Sequence, residues 1–140
     1  MSAGRAAKAQ SRVGSRTRRE ESTKVAMGEG VGFDVAVRRT PDGVDVVSVA
    51  GELDLLGATK LHRPLMDAVS GPVTVLDLGG CTFCDSSGLR TVLQAWQRAQ
   101  SEGNAFRMAG VGTSVVRVLE TAGLLAEMEL YSDVESALKA

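Results

Sequence analysis

A change of hydrophobic period between residues 73 and 89 constrains the fold more than any other feature of the chain. Val73, Val75, Leu76 and Leu78 form a short, β-branched-rich apolar run, which is typical of a strand covered on both faces. From residue 88 onward the apolar residues recur at helical spacing and share one face: Leu89, Val92, Leu93 and Trp96. The segment therefore predicts a buried strand, a short irregular link and an amphipathic helix.

The rest of residues 33–138 alternates between strand and helix patterns. The turn chemistry of Thr40–Gly43 joins the first two strands as a hairpin, because proline fixes φ and glycine accepts a positive φ. Strands joined by helices imply right-handed crossovers and a largely parallel sheet, so we predict an α/β fold with a mixed sheet. The other predicted strands cover 33–37, 44–50, 105–108 and 128–131, and the other helices 58–69, 113–124 and 133–138.

Length and charge divide the chain into a tail and one domain. The 140 residues are enough for a single core. Residues 1–24 carry seven basic and two acidic side chains and almost no large apolar ones, whereas residues 25–140 carry nine basic and fifteen acidic ones. We expect residues 1–30 to form a basic, disordered tail before a domain at 31–140. Cationic tails are unspecific and aromatic residues are few, so no nucleic-acid partner is expected.

The hydrophobic pattern also bears on location. No apolar run approaches the roughly 18–20 residues that a membrane-spanning helix needs. The N-terminus lacks the apolar stretch of a secretory signal, and two cysteines are too few for a disulfide scaffold. We therefore expect a cytoplasmic protein without membrane association.

Asp85 and Ser86 lie where the predicted second helix begins. Short polar side chains at this position satisfy free backbone N–H groups, so the pair is explained by a capped helix alone. A second interpretation is a phosphorylatable serine, because a phosphate at a helix N-terminus meets open donors and the positive end of the helix dipole.

Enzyme chemistry is poorly supported. Cys81 and Cys84 form a CxxC pair, but a reactive thiolate favours the helix N-terminus, which Ser86 occupies. These two cysteines and His62 provide at most three zinc ligands. The segment Cys84–Gly88 lacks the first glycine of the nucleophile elbow that serine hydrolases use. We predict that the chain has no set of catalytic residues and no cofactor, and that it is a binding or regulatory module. A small redox protein is the alternative that the cysteines leave open.

Three segments, in order and with natural spacing, resemble one family. Val49–Asp54, Leu76–Leu89 with its Asp-Ser-Ser-Gly-Leu element, and Val115–Leu124 are similar to the STAS domain of bacterial anti-sigma factor antagonists. The match covers roughly residues 33–138. The resemblance implies a mixed sheet of about five strands with about four helices, mainly on one face, and a monomer or weak dimer.

The resemblance also implies partner switching. In such proteins the unphosphorylated antagonist binds an anti-sigma factor that is a serine kinase, which frees the sigma factor. The kinase then phosphorylates the antagonist, and a PP2C-type phosphatase resets it. The resemblance places the phosphate on Ser86 here, and a non-switched STAS scaffold subunit is the alternative. The partner-binding residues that it implies are Gly51, Glu52, Asp54, Asp85, Ser86, Ser87 and Gly88.

Overall fold

The computed structural model describes residues 21–26 and 32–140, and these residues build a mixed sheet with helices on both faces. The strands are β1 (Glu21–Ala26), β2 (Phe33–Arg39), β3 (Asp45–Leu53), β4 (Val73–Cys84), β5 (Ala105–Ala109) and β6 (Glu129–Tyr131). The helices are α1 (Leu55–Ala68), α2 (Ser86–Ser101), α3 (Thr113–Thr121) and α4 (Val134–Leu138), with a 3₁₀ turn at Leu125–Glu127. None of the described helices is long and apolar enough to cross a membrane.

Strand order in the sheet follows the order of the chain. β1 pairs with β2 and β2 with β3 in antiparallel fashion, whereas β3, β4, β5 and β6 are parallel neighbours. Each parallel step is bridged by a helix, as crossover connections require. The predicted hairpin, the parallel sheet and the α/β fold class are confirmed.

The two faces of the sheet carry cores of different size. Val47 and Leu76 face the main core, to which α1, α2 and α3 contribute residues such as Leu61, Trp96 and Leu119. Neighbouring side chains point to the opposite face, where α4 covers a smaller cluster. That cluster consists of Val46, Val75, Ala109 and Ala137. Three helices therefore lie on one face and the short terminal helix on the other.

Two strands and one helix extend by three or more residues beyond their predicted bounds. β3 continues through Gly51, whose φ of 109° suits glycine, and ends at Leu53. β4 includes residues 79–84, where a short irregular link was predicted, and α1 begins at Leu55 instead of residue 58. For the two strands the cause is long-range pairing: Ala50–Leu53 lie beside residues 80–84 of β4, with register shifts that hydrophobic periodicity does not reveal.

The prediction of a disordered tail is wrong for six residues. Glu21–Ala26 form β1, which runs antiparallel to β2 with Glu21 opposite Arg39 and Ala26 opposite Asp34. An edge strand gains its hydrogen bonds from the backbone of its neighbour, so a count of apolar side chains does not detect it. Residues 1–20 and 27–31 lie outside the described residues, and the expectation for them stays a prediction.

Candidate functional site

The ends of β3 and β4 bring two distant segments of the chain together. Leu53 is paired with Cys84, and the backbone N–H of Asp85 donates a 3.2 Å hydrogen bond to the carbonyl oxygen of Leu53. Helices α1 and α2 both begin at this edge of the sheet. The residues Gly51–Leu56 and Phe83–Gly88 form one surface, called the edge surface below.

An aspartate caps each of the two helices. Asp54 Oδ1 accepts a 2.9 Å hydrogen bond from the backbone N–H of Gly57. Asp85 Oδ1 accepts from the N–H groups of Ser87 and Gly88, at 2.9 and 3.1 Å. Each cap is worth about 1 kcal/mol of stability. The predicted capping role of Asp85 is confirmed.

Two glycines allow the first turns of α1 and α2 to approach the end of β3 closely. A β-carbon at Gly57 would lie 2.6 Å from the carbonyl oxygen of Glu52. A β-carbon at Gly88 would overlap the carbonyl oxygen of Leu53 and lie 2.5 Å from its Cγ. Both contacts are closer than a side chain allows, so glycine at these positions sets how near each helix comes to the sheet.

Ser86 provides an exposed hydroxyl group on the edge surface. It is the first residue of α2, its side chain is exposed, and it makes no side-chain hydrogen bond among the described residues. Ser87 is half-buried, and its backbone N–H is taken by Asp85. Of the two adjacent serines, Ser86 is therefore the more exposed.

The edge surface is acidic. Its two segments carry the carboxylates of Glu52, Asp54 and Asp85 and no basic side chain. Glu52 is exposed, whereas the two aspartates are half-buried because they cap the helices. An added negative charge on Ser86 would therefore enter a surface that is already negative.

Apolar side chains on the edge surface were missed by sequence reasoning. Leu55, Leu56 and Phe83 are 69%, 57% and 52% exposed, and Phe83 lies opposite Glu52 in the β3–β4 pairing. The capping rule that placed Asp85, applied to Asp54, would have placed both leucines in the first turn of α1.

The two cysteines are free thiols with structural contacts. The Sγ of Cys81 donates to the carbonyl oxygen of Phe83 at 3.2 Å, and the Sγ of Cys84 to that of Asp85 at 3.6 Å. Burial, reinforced by the nearby Cys81 and Asp85, raises the pKa of the Cys84 thiol to about 11. A reactive dithiol needs the opposite shift, so the geometry does not favour redox chemistry.

We expect Cys84 to react with iodoacetamide at pH 7.5 roughly 100-fold more slowly than a free thiol, because only the thiolate is nucleophilic. Mass spectrometry of a Cys81→Ser protein measures this rate on Cys84 alone. From pH 9 towards 11 the unfolded chain ionises this thiol before the folded protein does, so the free energy of unfolding should fall over that range. Alkylation as fast as that of free cysteine would contradict the assignment.

The remaining candidate ligands are scattered. His62 is exposed on α1, away from the two cysteines in sequence. Among the residues that the structure describes, no three His, Cys, Asp or Glu side chains are grouped closely enough to hold a metal ion.

Comparisons with known proteins agree on one family. The family described as "Mlab, STAS domain" matches residues 36–130. The anti-sigma-F factor antagonist RsfB of Mycobacterium tuberculosis is 30% identical over 69% of this chain and 80% of its own length. An anti-sigma F factor antagonist of Paenibacillus polymyxa is 29% identical over 69% of this chain and 85% of its own.

A solved structure supports the same relation. The crystal structure of an anti-sigma factor antagonist from Mycobacterium paratuberculosis superposes with a TM-score of 0.68 at 28% identity, covering 81% of this chain and 97% of that one. The superposition shows that the two proteins share a fold. The chain therefore belongs to the STAS-domain family of anti-sigma factor antagonists.

Proposed function

We propose that this protein is an anti-sigma factor antagonist whose binding is switched by phosphorylation of Ser86. The unphosphorylated form binds an anti-sigma factor that is a serine kinase and thereby frees a sigma factor. Phosphorylation of Ser86 by that kinase releases the antagonist, and a PP2C-type phosphatase restores the binding form.

The observation that carries the proposal is the position of Ser86. Its exposed hydroxyl, free of hydrogen bonds among the described residues, lies on the same surface as exposed Leu55 and Leu56. A partner that covers these leucines also covers the serine. The names of the relatives point to the same class of partner, since both are anti-sigma F factor antagonists.

The expected effect of the phosphate is electrostatic. A phosphoserine adds about −1.5 to −2 charges at pH 7. At the start of α2 the charge is compatible with the helix dipole, so the domain keeps its fold. Within an interface, however, the dianion loses water beside Glu52, Asp54 and Asp85, and burying such a charge costs roughly 3–5 kcal/mol. This loss corresponds to a weakening of about 150- to 5,000-fold.

The test combines the purified protein, ATP and candidate anti-sigma factor kinases from the same organism. We expect one kinase to transfer a single phosphate to the peptide that contains Ser86. Ser86→Ala should abolish the transfer and still bind that kinase, whereas Ser87→Ala should be phosphorylated like the parent. A phosphate mapped to another residue, or no stable complex with any of these kinases, would overturn the proposal.

The exposed leucines provide a separate prediction. We expect the Leu55→Ser, Leu56→Ser double variant to bind the anti-sigma factor at least tenfold more weakly, because apolar area buried at an interface is lost. Its melting temperature should change little, since both side chains are exposed in the free protein. Val118→Ser on α3, where Val118 is 48% exposed, is the control and should bind normally. Unchanged affinity of the double variant in a titration would show that the interface lies elsewhere.

A further inference from the structure

Helix α2 carries a cationic side chain one turn beyond Ser86. Ser86 and Arg90 line the same shallow surface depression, together with Leu89, Leu93, Gln94 and Gln97. Arg90 is the only charged side chain of this group. It is exposed and makes no hydrogen bond or ion pair with any residue that the structure describes. The guanidinium is therefore available to a new anionic neighbour.

The spacing suits an ion pair along the helix. Residues four apart lie on the same face with their β-carbons about 5–6 Å apart, and an acidic group N-terminal to a basic one is the favourable order. A guanidinium also binds phosphate oxygens through two parallel N–H donors, which lysine does not offer. A phosphate on Ser86 would meet these donors without any change of the backbone.

Other charged groups around Ser86 act in the opposite sense. Asp85 precedes it, and Glu52 and Asp54 belong to the adjoining end of β3 and start of α1. Cys84, at the end of β4, keeps its proton at neutral pH because its pKa is raised. The carboxylates repel a phosphate, so the dianion is expected to orient towards Arg90 and away from the strand ends.

We propose that Arg90 is the positioning residue for the phosphorylated form: it pairs with the phosphate of Ser86 and holds it along the exposed face of α2. The inference rests on the proposed modification of Ser86 and adds a residue to it. The pair neutralises part of the added charge within the molecule, so the modified protein is stabilised relative to one in which the phosphate is free.

The test places phosphoserine at position 86 by genetic encoding, so that no kinase is needed. A ³¹P NMR titration then gives the second pKa of the phosphate in the parent and in Arg90→Gln. We expect the pKa in the parent to lie lower than in Arg90→Gln by about 0.3, because the cation favours the dianion. The difference should shrink in 1 M NaCl, as a surface pair is screened. Arg90→Lys should recover part of the shift.

Arg98→Gln is the matched control. Arg98 is exposed on the same helix and pairs with Glu102 at 3.1 Å, about 18 Å along the helix axis from Ser86. The Arg98→Gln variant should leave the second pKa of the phosphate unchanged. Equal pKa values in the parent and Arg90→Gln, or an equal shift in Arg98→Gln, would overturn the ion pair. Because the phosphate is installed without a kinase, that outcome is distinct from a failure of the kinase assay, which would instead overturn the proposed function.

Discussion

Ser86→Asp is expected to weaken binding of the anti-sigma factor by roughly 10- to 70-fold while the domain keeps its circular dichroism spectrum. The carboxylate carries about half the charge of a phosphate, so about half of the 3–5 kcal/mol expected for phosphorylation applies. Ser86 is exposed and its side chain makes no hydrogen bond among the described residues, so the substitution removes no contact that supports the fold. Isothermal titration of the variant against the partner measures the change.

Two controls separate charge from other causes. Ser86→Asn has nearly the size of the aspartate variant without its charge, and we expect its affinity to lie within about threefold of the parent. Gln100→Glu adds one negative charge at an exposed position of α2, about 21 Å along the helix axis, and should also bind normally. If Ser86→Asp binds as tightly as Ser86→Asn, the electrostatic switch is wrong.

Gly88→Ala is expected to lower the free energy of unfolding by about 2 kcal/mol. The new methyl group would overlap the carbonyl oxygen of Leu53, and the backbone at a strand end cannot yield as a flexible side chain does. Overpacking of this kind costs typically 1–3 kcal/mol, and the higher helix propensity of alanine offsets only part of that cost. The loss shows as a lower midpoint of urea unfolding.

The control for this variant is another glycine at a helix start. Gly112 precedes α3 with φ of −73°, and a β-carbon there would meet nothing within 4 Å. Gly112→Ala should change stability by about 0.5 kcal/mol or less, because the reduced freedom of the unfolded chain offsets a poorer cap. Equal losses in both variants would show that the contact of Gly88 with Leu53 does not limit how α2 docks.

Local features of the site were predictable from a few neighbouring residues. Asp85 was identified as a cap because capping involves hydrogen bonds to the next two or three residues, and the structure has these bonds. Asp54 carries the same capping signal, which places the start of α1 at Leu55, three residues before the predicted start. The cap fixes where the helix begins, but it does not say that Leu55 and Leu56 are exposed.

Other features had no local signal. β1 was missed because its hydrogen bonds belong to β2, and the end of β4 was predicted as an irregular link because its partner is β3. The exposure of Phe83 also depends on which distant segments cover it. Apolar character by itself favours burial, yet no element of the described structure covers more than half of this side chain.

Local sequence patterns were enough to predict the order of strands and helices within residues 33–138, the cap at Asp85 and the serine that follows it. These follow from hydrophobic period and hydrogen bonds within one turn, which neighbouring residues decide. Long-range packing is what brings Leu53 beside Asp85 and Gly88 and leaves Leu55 and Leu56 of α1 uncovered at the same end of the sheet. Parallel pairing joins residues some thirty positions apart, and exposure is a property of the whole packed chain, which no local pattern specifies.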